Sequence, residues 1–372
     1  MEFAVERNVF LEGIQRTLGI VEKKTTIPIL SNILIEAGGD TIRIVATDRE
    51  IGLVADYNAT VAQPGKITVG ARKLFEMIRE IEEGSIQFKT MENNWVNITS
   101  GKVAYRIPGI SADEFPEVPH EDSDLLFSVK ADVLREMMVK TFFAISTDEM
   151  RPSLNGVYFE ARTGQLEMVA TDGHRLSLVT MDPGDDIPPG SEIDGVIIPR
   201  KGVSEVRKLI ENEGETVKMA VHDGKCVFLF DHTLLRVSLI EGGYPDYRKV
   251  LPKDQGTEVL LDRNKFIHAL RRMSVMSNER FSGVKIELSG NKMLLSSTNP
   301  DVGEAKDEIE VTYDGKEMEV GYSVRYLIDA IEVMSEDSVS FEMRGSEGPG
   351  VIRPVGNESY MCIVMPIKLR EE

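Results

Sequence analysis

Thr171-Asp172-Gly173-His174-Arg175-Leu176 form the one polar cluster of catalytic interest in the chain. They directly follow a strand-like run, and Asp-Gly suits a tight turn. His174 could act there as a general base oriented by Asp172. Such chemistry needs a nucleophile within reach, and none is evident. Two other readings stay open, a structural turn and one wall of a binding pocket. Elsewhere there is no Gly-rich loop ending in Gly-Lys-Ser/Thr, no G-x-G-x-x-G opening a helix and no G-x-S-x-G elbow. The five histidines and two cysteines have no metal-ligand spacing. The residues therefore call for no catalytic site, no metal and no cofactor.

The cluster sits inside a unit that recurs three times. The first copy reads Asn32-Ile33-Leu34-Ile35-Glu36, a turn through Asp40, then Thr41 to Asp48. The second runs from Gly156 to Glu160, turns at 162–165 and continues from Leu166 to Asp172. The third runs from Gly283 to Glu287, turns at 289–291 and continues from Met293 to Asn299. Each reads as a β-hairpin of β-branched and apolar strands around a Gly-containing turn. Glu36, Glu160 and Glu287 are spaced by 124 and 127 residues, and Thr47, Thr171 and Thr298 repeat both shifts.

An amphipathic stripe precedes each hairpin: Leu11/Ile14/Leu18, Leu134/Met138/Phe142 and Phe266/Leu270/Met273. A second follows it: Leu74/Ile78/Ile81, Val203/Val206/Ile210 and Leu327/Ile331/Met334. Short connections between such elements imply antiparallel sheets with helices on one face, an α+β domain. Polar, proline-bearing segments at 116–124 and 251–258 place the boundaries, giving domains at 1–122, 123–253 and 254–372. Shared ancestry alone would also produce three such domains with no joint action.

An apolar fraction of 41% over 372 residues is ordinary globular usage. The N-terminus lacks the basic and apolar runs of a signal peptide, and no apolar stretch is long enough to span a bilayer. A cytoplasmic location is expected, with Cys226 and Cys362 as buried strand thiols. The net charge of −19 argues against a surface that grips DNA tightly by neutralising phosphates. The acidity is uneven, however. The six helical spans hold 19 basic against 17 acidic residues, a net of +2 that leaves −21 for the rest. Helices gathered on one side would present a near-neutral face able to attract a phosphate backbone weakly and without reading sequence. Solvated helix faces would explain the same count.

Four segments, in order on this threefold repeat, resemble the β subunit of bacterial DNA polymerase III, the sliding-clamp family, over essentially the full length. They are Ala170-Thr171-Asp172-Gly173-His174-Arg175-Leu176, Pro199-Arg200-Lys201-Gly202-Val203, Tyr244-Pro245-Asp246-Tyr247-Arg248-Lys249-Val250-Leu251-Pro252 and Val364-Met365-Pro366-Ile367-Lys368-Leu369. The resemblance implies three tandem clamp domains per chain in a ring-shaped head-to-tail homodimer, sheets outside and helices lining the inside. It implies a processivity factor that is not itself an enzyme. Such a ring encircles double-stranded DNA topologically and without sequence preference. It tethers the replicative polymerase, the clamp loader, other polymerases and repair proteins through a hydrophobic peptide cleft, and has no membrane partner. The alternative is a monomeric three-domain peptide-binding scaffold that never encircles DNA, and an enzyme built on His174 comes third.

Carried over by position, the cleft would use Leu154, Thr171, Gly173, His174, Arg175, Leu176, Pro245, Val250, Tyr326, Ile363 and Met365. Apolar groups with a flexible methionine make an adaptable pocket, with His174 and Arg175 holding polar groups at its edge. Buried core is the rival assignment, for Leu154 and Val250 above all. DNA-facing cations would be Lys24, Arg72, Lys73, Arg79, Lys140, Arg200, Lys201 and Arg207; the subunit contact would join Lys73 and Tyr105 to Val275 and Met276 of the other copy. Two departures stand out. Arg370-Glu371-Glu372 extend past the usual terminal leucine, and Lys24 stands where arginine is common, keeping the charge but not the planar fork.

Overall fold

A computed structural model describes residues 1–22, 26–82, 84–118, 126–184, 187–211, 214–254, 256–277, 282–346 and 348–368. All three expected hairpins are present: Asn32–Gly38 with Thr41–Thr47, Gly156–Arg162 with Gln165–Thr171, and Gly283–Ser289 with Lys292–Asn299. Gly39, Gly164 and Gly290 close their turns with φ of 58°, 72° and 56°. Only glycine adopts that left-handed backbone without a steric penalty.

Among the described residues six α-helices form, at the six expected places: α1 Arg7–Thr17, α2 Ala71–Arg79, α3 Ala131–Phe142, α4 Arg200–Ile210, α5 Arg263–Ser274 and α6 Val324–Glu332. α3, α4 and α5 contain their whole stripes, whereas α1, α2 and α6 end one or two residues before the last stripe residue. α1 stops before Gly19; backbone N–H groups of Leu18, Ile20 and Val21 take its last carbonyls, and side chains take those of the residues just beyond it. Arg72 Nη2 donates to Leu18 O at 3.3 Å and Lys201 Nζ donates to Ile20 O at 3.2 Å. The buried face of α1 is Phe10, Gly13, Ile14 and Thr17, whereas Leu11 and Leu18 are only half-buried. The expected stripe was rotated because Phe10, packed edge-on against Phe3 and Phe88, outcompetes Leu11 for the interior.

The chain divides into two compact units. The first comprises Met1–Asp132, Gly184–Ser191 and Lys201–Leu239. Its thirteen described strands form one continuous antiparallel sheet, because Thr233–Ser238 of the second repeat pairs with Ile51–Asn58 of the first. The second unit comprises Val133–Pro183, Glu192–Arg200 and Ile240–Glu372. There Arg175–Met181 pairs with Tyr360–Val364, joining second and third repeats in an eight-stranded sheet beside a four-stranded one. The repeats are thus stitched through backbone hydrogen bonds, which leave no unpaired edge at either seam.

Cys226 and Cys362 are free and buried in strands, and burial pushes the Cys362 thiol up to about 12. No described helix is long and apolar enough to cross a membrane.

Candidate functional site

The strand Gln165–Thr171 ends in a turn held by its own side chains. Thr171 Oγ1 donates to Arg175 O at 2.6 Å and accepts from Gly173 N–H at 3.1 Å. Asp172 Oδ1 accepts the N–H groups of His174 and Arg175 at 2.9 and 3.0 Å. Gly173 has φ 89°, and a Cβ there would lie 2.7 Å from Arg151 Nη1. The turn therefore presents His174 outward. The adjacent C-terminal strand then delivers Met365, whose N–H donates to His174 O at 2.9 Å, and Ile367 N–H donates to Gly321 O at 2.8 Å.

All three nitrogens of the Arg175 guanidinium make hydrogen bonds. Nε donates to Asp172 Oδ2 at 3.1 Å, Nη1 to Asp329 Oδ2 at 2.6 Å and Nη2 to Phe143 O at 2.5 Å. It is 8% exposed and lies 4.4 Å from the centroid of the Tyr326 ring. Each of its three nitrogens thus has one partner inside the protein. The same bonds leave the His174–Asp172 general base without its orienter. Asp172 spends both oxygens on backbone amides and on Arg175.

Around this turn opens a cavity of about 750 Å³, walled by His174, Tyr326, Met365, Pro366, Ile367, Val324, Arg325 and Ile328, with Ser274, Ser277, Ser282 and Ser323. Of the eleven cleft residues expected, it brings together His174, Tyr326 and Met365. Leu176 and Ile363 are instead buried in a core cluster with Val169, Tyr247 and Val351. Leu154 is buried at 5% exposure, so the core assignment holds for it; Val250 is 55% exposed, so it does not. Pro245 is also exposed, and Thr171 serves the turn. The serines and the start of α6 went unnoticed in the sequence, since small polar residues carry no periodic signal. Ser323 does carry one cue, as the N-cap accepting from Tyr326 N–H.

The segment bearing Pro245 and Val250 is anchored by a cluster on the sheet. Glu160 and Glu167 stand directly opposite each other. Arg248 Nη2 bridges them at 3.2 and 2.8 Å, while Tyr158 and Tyr247 donate their hydroxyls to Glu160 and Glu167. Burial raises the Tyr326 hydroxyl above its ordinary range, and the charge of Asp172 adds to it, so the cavity wall is a neutral phenol.

The helix cations divide. In the first unit Lys73 and Arg79 are exposed, beside Glu76 and Glu80 at 3.0 Å each. Arg72, Lys201 and Arg207 are half-buried, and Lys201 pairs with Asp48 as well as bonding Ile20 O. In the second unit Lys140 is a correction. Its side chain is 3% exposed, 2.5 Å from Glu136 and 5.4 Å from the Tyr360 ring centroid, out of reach of a phosphate. Arg200 packs 4.3 Å from the Phe142 ring and donates to Ile145 O at 3.2 Å, and burial lowers its pKa. Lys24 lies outside the described residues.

Three family models match the chain in order: DNA polymerase III beta subunit, N-terminal domain over residues 1–119, central domain over 128–246 and C-terminal domain over 248–368. The chain belongs to the DNA polymerase III beta subunit family. The beta sliding clamp of Caulobacter vibrioides is 34% identical over 377 residues, covering 99% of this chain and all of the relative. That of Escherichia coli K12 is 30% identical over 370 residues, with the same coverage. Among solved structures, the Bacillus subtilis clamp aligns with a TM-score of 0.94 at 28% identity over the whole of both chains. A Bartonella birtlesii clamp bound to griselimycin aligns with a TM-score of 0.94 at 31% identity, over 99% of this chain and all of the other.

As a beta sliding clamp the chain is a processivity factor, a non-catalytic accessory subunit of DNA polymerase III. It forms dimers that encircle DNA and binds polymerase and clamp loader, so the monomeric scaffold is set aside. The four residues expected at a subunit contact are all at least partly exposed. Lys73 is exposed and Tyr105 half-buried on the strand Val103–Ile110, while Val275, 71% exposed, and the half-buried Met276 follow α5.

Proposed function

We propose that the cavity walled by His174, Tyr326 and Met365 receives the short peptide motifs through which polymerases, the clamp loader and repair proteins hold the clamp. One observation carries this: Met365 and Ile367, large apolar side chains left over a third exposed, border a cavity of about 750 Å³ that also has an aromatic wall. Exposed apolar side chains around a concavity are what an apolar peptide anchor buries, and methionine adapts to differing anchors. Leu176 and Ile363, each next but one in sequence to the wall residues His174 and Met365, are buried in the core cluster.

The DNA-facing set then reduces to Arg72, Lys73, Arg79, Lys201 and Arg207, with Lys24 retained from the family resemblance alone. Their contacts with phosphate are few and partly shared with neighbouring carboxylates, which suits a ring retained by topology. Lys73 and Tyr105 meet Val275 and Met276 of the second copy, and the domains divide at 122/123 and 253/254. The ring works in the cytoplasm, opened and placed on primed DNA by a separate loader.

Griselimycin, bound by the Bartonella relative, is the probe for the test. Met365→Ala should weaken its binding by about 1–2 kcal/mol, the scale of one truncated anchor contact. Unchanged affinity, measured by titration calorimetry, would remove Met365 and this cavity from the peptide site.

A further inference from the structure

The turn at 171–175 has a counterpart 124 residues earlier, and the two share one hydrogen-bonded frame. Thr47 Oγ1 donates to Ile51 O at 2.8 Å and accepts from Arg49 N–H at 3.0 Å. Asp48 Oδ1 accepts from Glu50 and Ile51 N–H at 2.9 and 2.6 Å, and Ser238 N–H donates to Glu50 O at 2.8 Å. Each of these bonds has its equivalent around Thr171, Asp172 and Met365. The frame alone therefore needs neither Arg175 nor its partners.

What differs is what has been added to it. Positions 51, 202 and 205 hold Ile51, Gly202 and Glu205; the counterparts 124 residues on are Arg175, Tyr326 and Asp329. Glu205 turns to Lys208 at 2.7 Å, and Asp48 takes Lys201. At the later turn Asp329 instead meets Arg175 Nη1 at 2.6 Å, and the guanidinium lies 4.4 Å from the Tyr326 centroid. Tyr326 and Asp329 are three residues apart on α6 and share a face. The clamp thus accompanies the one of the two turns that has an aromatic-walled cavity.

We propose that Asp329 is a positioning residue for the peptide cleft: through Arg175 it fixes the Tyr326 ring as a preformed wall. Asp172 holds the guanidinium from the turn and Asp329 from α6, so the planar cation cannot leave the ring face. A ring held before the ligand arrives loses less freedom on binding. Asp329 itself is absent from the cavity wall, so its influence travels through Arg175. The inference rests on the reading of the cavity as the peptide cleft.

The test uses the full-length dimer labelled with 3-fluorotyrosine, the Tyr326 resonance being assigned with Tyr326→Phe, and griselimycin as the probe. Asp329→Asn, which keeps the shape and removes the charge, should weaken griselimycin about tenfold, the effect of losing a charged hydrogen bond. Its Tyr326 fluorine line should shift or broaden, while its thermal midpoint stays close to wild type. Asp329→Glu should recover most of the affinity and sharpen the line. Arg175→Lys, which keeps the charge but loses the planar face, is the second variant and should move the line as Asp329→Asn does. Wild-type affinity with an unmoved line in Asp329→Asn overturns the proposal, as does equal loss in the Asn and Glu variants with the line unmoved. If Met365→Ala binds griselimycin like wild type, the cleft reading fails separately, and the Tyr326 line alone then decides whether Asp329 holds the ring.

Discussion

The N–H of Met365 donates to the carbonyl oxygen of His174 at 2.9 Å, so these two residues of the cavity wall are joined through backbone, not side chains. Either side chain can therefore be cut back without dismantling the site. Leu176, one turn residue away, differs, because it is 3% exposed in the core cluster with Val169, Tyr247, Val351 and Ile363. Leu176→Ala should lower stability by about 2–5 kcal/mol, the cost of an emptied core site. Urea unfolding of Leu176→Ala and Met365→Ala separates the two roles: a large loss is expected for the first and little for the second. Equal losses would mean that Met365 is core.

Charge removal on the helices should sort by exposure. Arg79→Ala removes an exposed cation and should lower the salt dependence of DNA binding by roughly one phosphate contact, a slope change of about 1. Lys140→Ala should leave the slope alone and instead destabilise the protein, since it strands Glu136 and uncovers the Tyr360 ring. A slope change in Lys140→Ala alone would reverse the assignment of the two cations.

Val275 offers a way to open the dimer from a position outside the cavity lining. Val275→Glu places a charge at an exposed apolar position after α5. If that position meets Tyr105 and Lys73 of the other subunit, solution mass should fall from about 83 kDa toward the 41.5 kDa of one chain. Griselimycin affinity should be retained. A mass that stays at the dimer value takes Val275 out of the interface.

The anchoring cluster predicts an alkaline weakness. Burial, with the hydrogen bond to Glu160, pushes the Tyr158 hydroxyl up to about 12. An unfolded tyrosine titrates near about 10. Because the folded value is the higher one, the stabilisation is intact below about pH 10 and is lost as the pH rises to about 12. Tyr158→Phe should flatten the fall in stability across that window, followed by urea midpoints at each pH. An unchanged fall would assign it to Tyr247, whose hydroxyl is raised in the same direction by burial and Glu167.

Hairpins and helices were legible in the sequence because alternation and helical spacing are local properties, and three copies reinforced one another. The stripe of α1 was misread because Phe10 and Leu11 are both apolar, and only the Phe3 and Phe88 rings decide which turns inward. Lys140 looked like any helix cation; its burial depends on Tyr360, more than two hundred residues away. The partners of Arg175 were not legible, since Asp329 and Phe143 reach it only through the fold. The serines of the cavity wall left no pattern to read.

Retention on DNA tests the central claim most directly. The clamp is loaded onto a nicked circle, and half of the sample is linearised. Topological linkage predicts retention on the circle and rapid loss from the linear DNA through its ends. Equal retention on both would mean that the protein holds DNA by surface contact, and the account of an encircling clamp would be contradicted.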